Sequence, residues 1–277
     1  MKDAERMTDT ATLDDRTYHS IKDLIYEKCG IKLGDAKKAL VAARIRKRMR
    51  ELQIFSHDEY LQNVLDDDTG MELVLLMDSI STNVTSFYRE SGHFEIMESN
   101  LRKWADEGQK RFRFWSAACS SGEEAYTMAF TVKQALSGAY DARILATDIS
   151  TKVLGLAHQG LYEEEKTLSI PPDIKGKYME KVKSGDKAFF SVRPDIREMV
   201  LFRRLNLTEM PFPMKGPMDI IFCRNVMIYF DKDLRRRLAV EFHRLLKPGG
   251  LLIIGLTESL IEISDGFTRT GPSVYTK

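Results

Sequence analysis

Residues 111–126 read R-F-R-F-W-S-A-A-C-S-S-G-E-E-A-Y. Phe112 and Phe114, followed by small residues, have the character of a short buried strand. Ser120, Ser121 and Gly122 break it, and Glu123 and Glu124 open a helix-forming run. A strand, tight turn and helix start of this kind lies at the carboxyl end of a parallel strand, where loop and helix N–H groups face a crevice able to take a ligand. The residue types argue against a pyrophosphate. Gly122 is the only glycine of the turn, the G-x-G-x-x-G spacing is absent, and two glutamates stand where phosphates would bind. A ligand carrying hydroxyls or positive charge suits this turn, although a first-turn Glu is also what a helix dipole favours on its own.

Asp148 ends a second predicted strand, residues 143–147. It is placed either to accept hydrogen bonds from ribose hydroxyls or to cap the helix over residues 150–158. Arg224 and Asn225 follow the apolar run D-I-I-F, and so stand at the carboxyl end of a central parallel strand. A polar connector, residues 81–90, carries Asn83, Thr85 and Arg89 just before the sheet begins, where they could line one wall of the same crevice. His93, His158 and His243 fall in helical segments, and the residues do not suggest a His-based triad.

These groups need a scaffold. Residues 14–79 show helical periodicity: Tyr18, Ile21, Leu24 and Ile25 form one stripe, with a stop at Cys29-Gly30. A second helix, residues 36–52, has the stripe Val41, Ile45, Met49 and Leu52. Lys37, Lys38, Arg44, Arg46, Lys47, Arg48 and Arg50 crowd its other faces, either as a solvated surface or as a site for an acidic partner. Two further helices follow, from residue 56 and beyond residue 70. After the connector the pattern becomes α/β. Residues 187–192 and 199–203 read as a small antiparallel insertion. The turn Lys247-Pro248-Gly249-Gly250 precedes a strand at residues 251–255, and residues 273–276 form a last strand at the sheet end. Pro171-Pro172 opens a helical segment containing Ile174, Tyr178, Met179 and Val182.

The 277 residues can bury a full core, and 43% hydrophobic with 30% charged content is that of a soluble globular protein. The sequence shows neither a membrane-spanning run nor a signal peptide, so a cytoplasmic location without membrane insertion is expected. Three dispersed cysteines suggest neither a disulfide framework nor a metal site. A net charge of +1 gives no general case for nucleic acid.

Several stretches together resemble one family: A-A-C-S-S-G-E-E-A-Y, N-V-T-S-F-Y-R and F-C-R-N-V-M-I-Y-F-D, with A-T-D-I-S and L-K-P-G-G. They resemble the CheR chemoreceptor glutamate O-methyltransferases. The resemblance runs from about residue 14 to near the end. It implies an α/β fold: a Rossmann-like S-adenosylmethionine-dependent methyltransferase domain over residues 80–277, with a small antiparallel β insertion at about 183–204, preceded by an all-helical receptor-recognition domain over residues 1–79. It also implies that S-adenosylmethionine, giving S-adenosylhomocysteine, is held by Asn83, Thr85, Arg89, Glu123, Asp148, Asn206, Leu207, Arg224 and Asn225. Arg89 and Tyr229 are then the catalytic candidates, orienting the incoming carboxylate or the cofactor. The basic helix, through Arg44, Arg46, Lys47, Arg48 and Arg50, becomes the docking surface for the cytoplasmic domain of a chemoreceptor. A monomer is expected. Some members of the family also bind a receptor pentapeptide through a long glycine-containing loop. The stretch Lys183-Ser184-Gly185-Asp186-Lys187 is short, so that tether is not expected. A nucleic-acid methyltransferase and a non-catalytic cofactor-binding scaffold are the alternatives, and the destination of the methyl group separates them.

Overall fold

The computed structural model describes residues 13–80, 84–184, 187–260 and 266–277. The chain divides into two compact units, Met1–Thr82 and Asn83–Lys277. In the first, helices α1 (Asp15–Cys29), α2 (Lys38–Leu52), α3 (His57–Asp66) and α4 (Met71–Ile80) bury the apolar stripes that their periodicity predicts. Asp14 and Ser56 cap α1 and α3 by accepting from the N–H groups of Thr17 and Glu59, and Gly30 ends α1 in the left-handed conformation. The core holds Tyr18, Ile21, Ile25, Val41, Ile45, Tyr60 and Leu76, all essentially inaccessible to solvent. Leu52, placed in the stripe by periodicity, is only half-buried at the frayed end of α2.

One polar knot crosses this unit. Glu72 of α4 is buried and accepts from Arg48 Nε at 2.9 Å, Arg48 Nη2 at 2.7 Å and the buried Tyr60 hydroxyl at 3.0 Å. Arg48 also reaches Glu51 at 2.9 Å.

In the second unit, the connector leads into α5 (Gly92–Asp106) and then into β1 (Arg111–Ala117), α6 (Glu123–Ala135), β2 (Asp141–Asp148) and α7 (Thr151–Gln159). There follow β3 (Leu161–Glu163), α8 (Pro172–Tyr178), β4 (Met179–Ser184), β5 (Lys187–Val192), α9 (Pro194–Arg197) and β6 (Val200–Arg204). The chain closes with β7 (Met218–Cys223), α10 (Lys232–Leu245), β8 (Leu246–Ile254), β9 (Thr268–Gly271) and β10 (Val274–Thr276). The main sheet has seven strands in the order β6-β2-β1-β7-β8-β10-β9. The first five are parallel, and β10 runs antiparallel between β8 and β9. Buried aromatic rings pack on it: Phe87, Phe112, Phe114 and Phe130, together with Trp115, Phe222 and Phe242. The strand order reverses between β1 and β7, so a crevice is expected outside their carboxyl ends.

Two expectations are corrected. Residues 200–204 are not part of an antiparallel insertion: β6 pairs in parallel with β2 and forms the edge of the main sheet. The small sheet is instead β3-β5-β4, so it draws on residues 161–163 and 179–184. Met179 and Val182 accordingly lie on a strand rather than on the helix that begins at Pro172. The loop assessed for a pentapeptide tether includes residues 185–186, which lie outside the described residues.

Replacing Glu72 with Ala strips the Tyr60 hydroxyl and the Arg48 fork of their acceptor. We expect a loss of about 1.5–3 kcal/mol in urea unfolding followed by circular dichroism, against about 0.5 kcal/mol or less for Glu51→Ala at the exposed end of the same network.

Candidate active site at the carboxyl ends of the parallel strands

The turn after β1 is built by backbone conformations that most side chains avoid. Ala118 and Ser120 have φ of 65° and 49°, and Gly122 has 94°. Glycine at 122 is also a steric requirement, because a Cβ there would stand 2.8 Å from the Ala157 Cβ and 3.0 Å from the Tyr162 hydroxyl. Asp148 staples this turn to the end of β2. One carboxylate oxygen accepts from the Ser120 N–H at 2.9 Å and the other from the Ser150 N–H at 3.0 Å. The helix cap itself is Ser150, which accepts from the Val153 N–H.

Glu123 is fully buried. Its carboxylate accepts from the Ser121 hydroxyl at 2.8 Å, and the Lys166 ammonium lies 3.5 Å away. Glu124 turns the other way, accepting from the Ser116 hydroxyl at 2.7 Å and from Arg224 at 2.9 Å.

Arg224, at the end of β7, retains 2% of its side-chain exposure. Its guanidinium is committed to protein groups: Glu124, Glu90 at 3.0 Å, and the carbonyl of Arg89. Its flat faces lie near the rings of Phe94 and Phe222. Asn225 has a φ of 57° and donates to Glu90 at 3.3 Å. Tyr229 is half-buried in the single turn Met227–Tyr229. Asn206 and Leu207 follow β6, where the Leu205 N–H donates to the Asp148 carbonyl. Asn206 closes a local turn by accepting from the Thr208 N–H.

The connector is pinned onto this edge. Phe87 is fully buried against Phe130 and Tyr162, and Arg89 donates through Nη1 to the Val84 carbonyl at 2.9 Å. Thr85 is half-buried, and Asn83 lies outside the described residues. Arg89, Glu123, Asp148, Asn206, Arg224 and Asn225 thus belong to segments gathered at one edge of the sheet. Sequence reasoning did not single out Glu90 or Glu258, nor the ion pairs that Glu124 makes.

Acids outnumber bases at the strand ends: Glu90, Glu123, Glu124, Asp148 and Glu258 stand with Arg224, which pairs with Glu90 and Glu124, and with Lys166 beside Glu123. This donor set fits a ligand bearing a sulfonium and an ammonium, and it is unsuited to phosphates. The titratable alternatives for catalysis are weak. Burial pushes the Cys119 and Cys223 thiols well up, away from thiolate. Burial, with the nearby Arg224, depresses His93 to about 4. The edge can bind and orient, and neither its thiols nor His93 is poised as a nucleophile or base at neutral pH.

Residues 16–81 match the family model described as "CheR methyltransferase, all-alpha domain", and residues 83–275 match "CheR methyltransferase, SAM binding domain". The chain belongs to the CheR methyltransferase family. It is a methyltransferase whose cofactor is S-adenosylmethionine. Among its relatives is the chemotaxis protein methyltransferase of Borreliella burgdorferi, 38% identical over 246 residues, or 86% of each chain. That of Escherichia coli is 35% identical over 271 residues, 98% of this chain and 93% of that one. Chemotaxis protein methyltransferase 2 of Pseudomonas aeruginosa is 36% identical over 260 residues, 93% and 91%. Among solved structures, TrmN from Thermus thermophilus is 18% identical with a TM-score of 0.38 over 65% of this chain and 47% of that one, too low a likeness to bear on function. No helix among the described residues of this CheR chain is long and apolar enough to cross a membrane.

His93 gives a pH signature. Its folded pKa lies below the ordinary value, so between about pH 6.5 and 4 the unfolded chain binds the extra proton and stability falls as pH falls. We expect this residue to contribute about 3 kcal/mol of that decline. Denaturant titrations across this range should therefore show a flatter pH dependence for His93→Asn than for the parent protein; equal slopes would contradict the assignment.

Proposed function

We propose that this protein transfers the methyl group of S-adenosylmethionine to glutamate side chains in the cytoplasmic domains of chemoreceptors, leaving glutamyl methyl esters and S-adenosylhomocysteine. The observation that carries this reading is the carboxylate-ringed edge at the β1/β7 reversal, which suits a cationic methyl donor. When bound, the donor supplies an electrophilic methyl carbon; the acceptor carboxylate oxygen takes it, and the sulfur keeps the electron pair of the broken C–S bond. An acceptor glutamate, with an ordinary pKa near 4.3, is already ionised at neutral pH, so no residue of this chain has to remove a proton. The chain's task is to hold the reacting atoms in line, an effect that can supply roughly 7–11 kcal/mol.

In this reading Glu123 and Asp148 hold the amino-acid and ribose ends of the donor, with Asn206 and Leu207 beside Asp148. Arg224 contributes through the segments it clamps, since its guanidinium is committed to Glu90, Glu124 and the Arg89 carbonyl. Arg89 and Tyr229, the latter in the turn after β7, orient the acceptor carboxylate or the donor.

Receptor docking falls to α2. Arg46, Lys47 and Arg50 are exposed, whereas Arg44 donates to the Ile80 carbonyl at 2.6 Å and Arg48 is held by Glu72 and Glu51. The exposed three make the stronger docking set. Reversing two charges, Arg46→Glu with Arg50→Glu, is expected to raise the KM for receptor fragments while S-adenosylhomocysteine affinity stays at the parent value. A raised KM together with weakened S-adenosylhomocysteine binding points to misfolding instead.

The reading as a whole is tested by incubating purified receptor cytoplasmic fragments with methyl-labelled S-adenosylmethionine and then treating them with mild base. Label that enters the receptor and leaves as methanol identifies a carboxyl ester. Base-stable label, or label only in RNA or DNA, overturns the proposal.

A further inference from the structure

Glu258 lies in the loop after β8 and is 9% exposed. One of its oxygens accepts from the N–H groups of Gly255 at 2.6 Å and Asn225 at 2.9 Å, and the other accepts from Ile228 at 3.2 Å. Among the described residues no Lys, Arg or His is paired with it. Burial pushes its carboxyl up from the ordinary value, and the backbone N–H bonds oppose that shift.

The fold accommodates this group at a steric cost. A Cβ on residue 255 would stand 2.8 Å from the Glu258 Oε2, 2.6 Å from the Asn225 Nδ2 and 3.0 Å from the Asn225 N, so glycine lets the carboxylate and the amide sit where they do without being displaced. Two of the three donors, Asn225 and Ile228, belong to the loop after β7. There Asn225 sits at φ 57° and Tyr229 completes the turn. Left unpaired in a buried setting, those N–H groups would each carry a desolvation cost. A carboxylate can serve all of them because it only accepts, whereas an amide in its place would aim a donor at a donor.

We propose that Glu258 is a positioning residue for methyl transfer: its carboxylate gathers the β7 and β8 loops and so fixes where Asn225 and Tyr229 stand at the crevice. The inference rests on the proposed function for the reaction it serves, but the clamp itself can be read without turnover.

The test uses the full chain carrying Glu258→Gln, with kcat and KM measured on receptor fragments, thermal melting, and amide proton shifts of 15N-labelled protein. The variant is expected to lose about ten- to a hundredfold in kcat, as small misplacements do. The KM for the receptor should stay at the parent value, the melting temperature should fall by only a few degrees because an amide cannot serve every N–H, and the Asn225, Ile228 and Gly255 amide signals should move upfield. An unchanged kcat overturns the proposal. So does a kcat that falls only in proportion to the fraction unfolded at the assay temperature, which would make Glu258 a stability residue only. If the Gln variant does not fold, Glu258→Asp keeps the charge but shortens the reach, and parent kcat in that variant overturns the proposal equally. A parent protein that methylates no receptor fragment overturns the proposed function instead, and the amide shifts still report whether the clamp exists.

Discussion

The sheet edge depends on the burial of one guanidinium. Removing an arginine from water costs several kcal/mol unless its donors are satisfied in place. The terminal nitrogens of Arg224 are satisfied by Glu124 from α6 and by Glu90 and the Arg89 carbonyl from the connector, while its buried Nε finds no partner among the described residues. The phenyl rings of Phe94 and Phe222 border it. Three segments far apart in sequence therefore cannot separate without exposing or orphaning a charge. The consequences spread outward: the connector is held over the β1/β7 reversal, Glu90 reaches on to Asn225, and His93 beside the cation is kept neutral.

A second constraint follows from the first. With Arg224 neutralised internally, the other acids of the strand ends set the character of the crevice. The residues at the turn after β1 adopt left-handed backbone, as do Tyr88, Glu90 and Asn225, so the strain among the described residues is concentrated where the loops converge. Such strain persists only where surrounding contacts over-determine it. Here they are the Asp148 staple, the Glu258 carboxylate and the buried ring of Phe87.

Much of this was legible in the sequence where the signal is local. The β1 turn, the apolar run of β7 and the basic α2 all announced themselves by residue type and period. The breaker run Lys247-Pro248-Gly249-Gly250, read as a turn before a strand, lies instead within β8, where it interrupts the pairing with β7 between Leu246 and Leu251. What was not legible was partnership. Residues 200–204 have strand character in either setting, and nothing in V-L-F-R-R says whether the neighbour is parallel β2 or an antiparallel hairpin. Met179 and Val182 continue the spacing of Ile174 and Tyr178, so a strand was read as helix. Arg48 looked like one more cation of a surface helix until Glu72, twenty-four residues on, arrived beside it. Glu90 and Glu258 sit in polar loops where an acid is unremarked; only tertiary contacts give them a role. The nearest local hint for Glu258 is a glycine three residues before it, at the position its carboxylate needs open.

The central claim is that the buried Arg224 cluster organises the S-adenosylmethionine crevice. It is tested most directly by calorimetric titration of S-adenosylhomocysteine into Arg224→Lys, a variant that keeps the charge but loses the planar fork. The account predicts binding weakened by about tenfold or more, the cost of roughly one lost charged hydrogen bond, in a protein that still melts cooperatively. Parent affinity in that variant would contradict it.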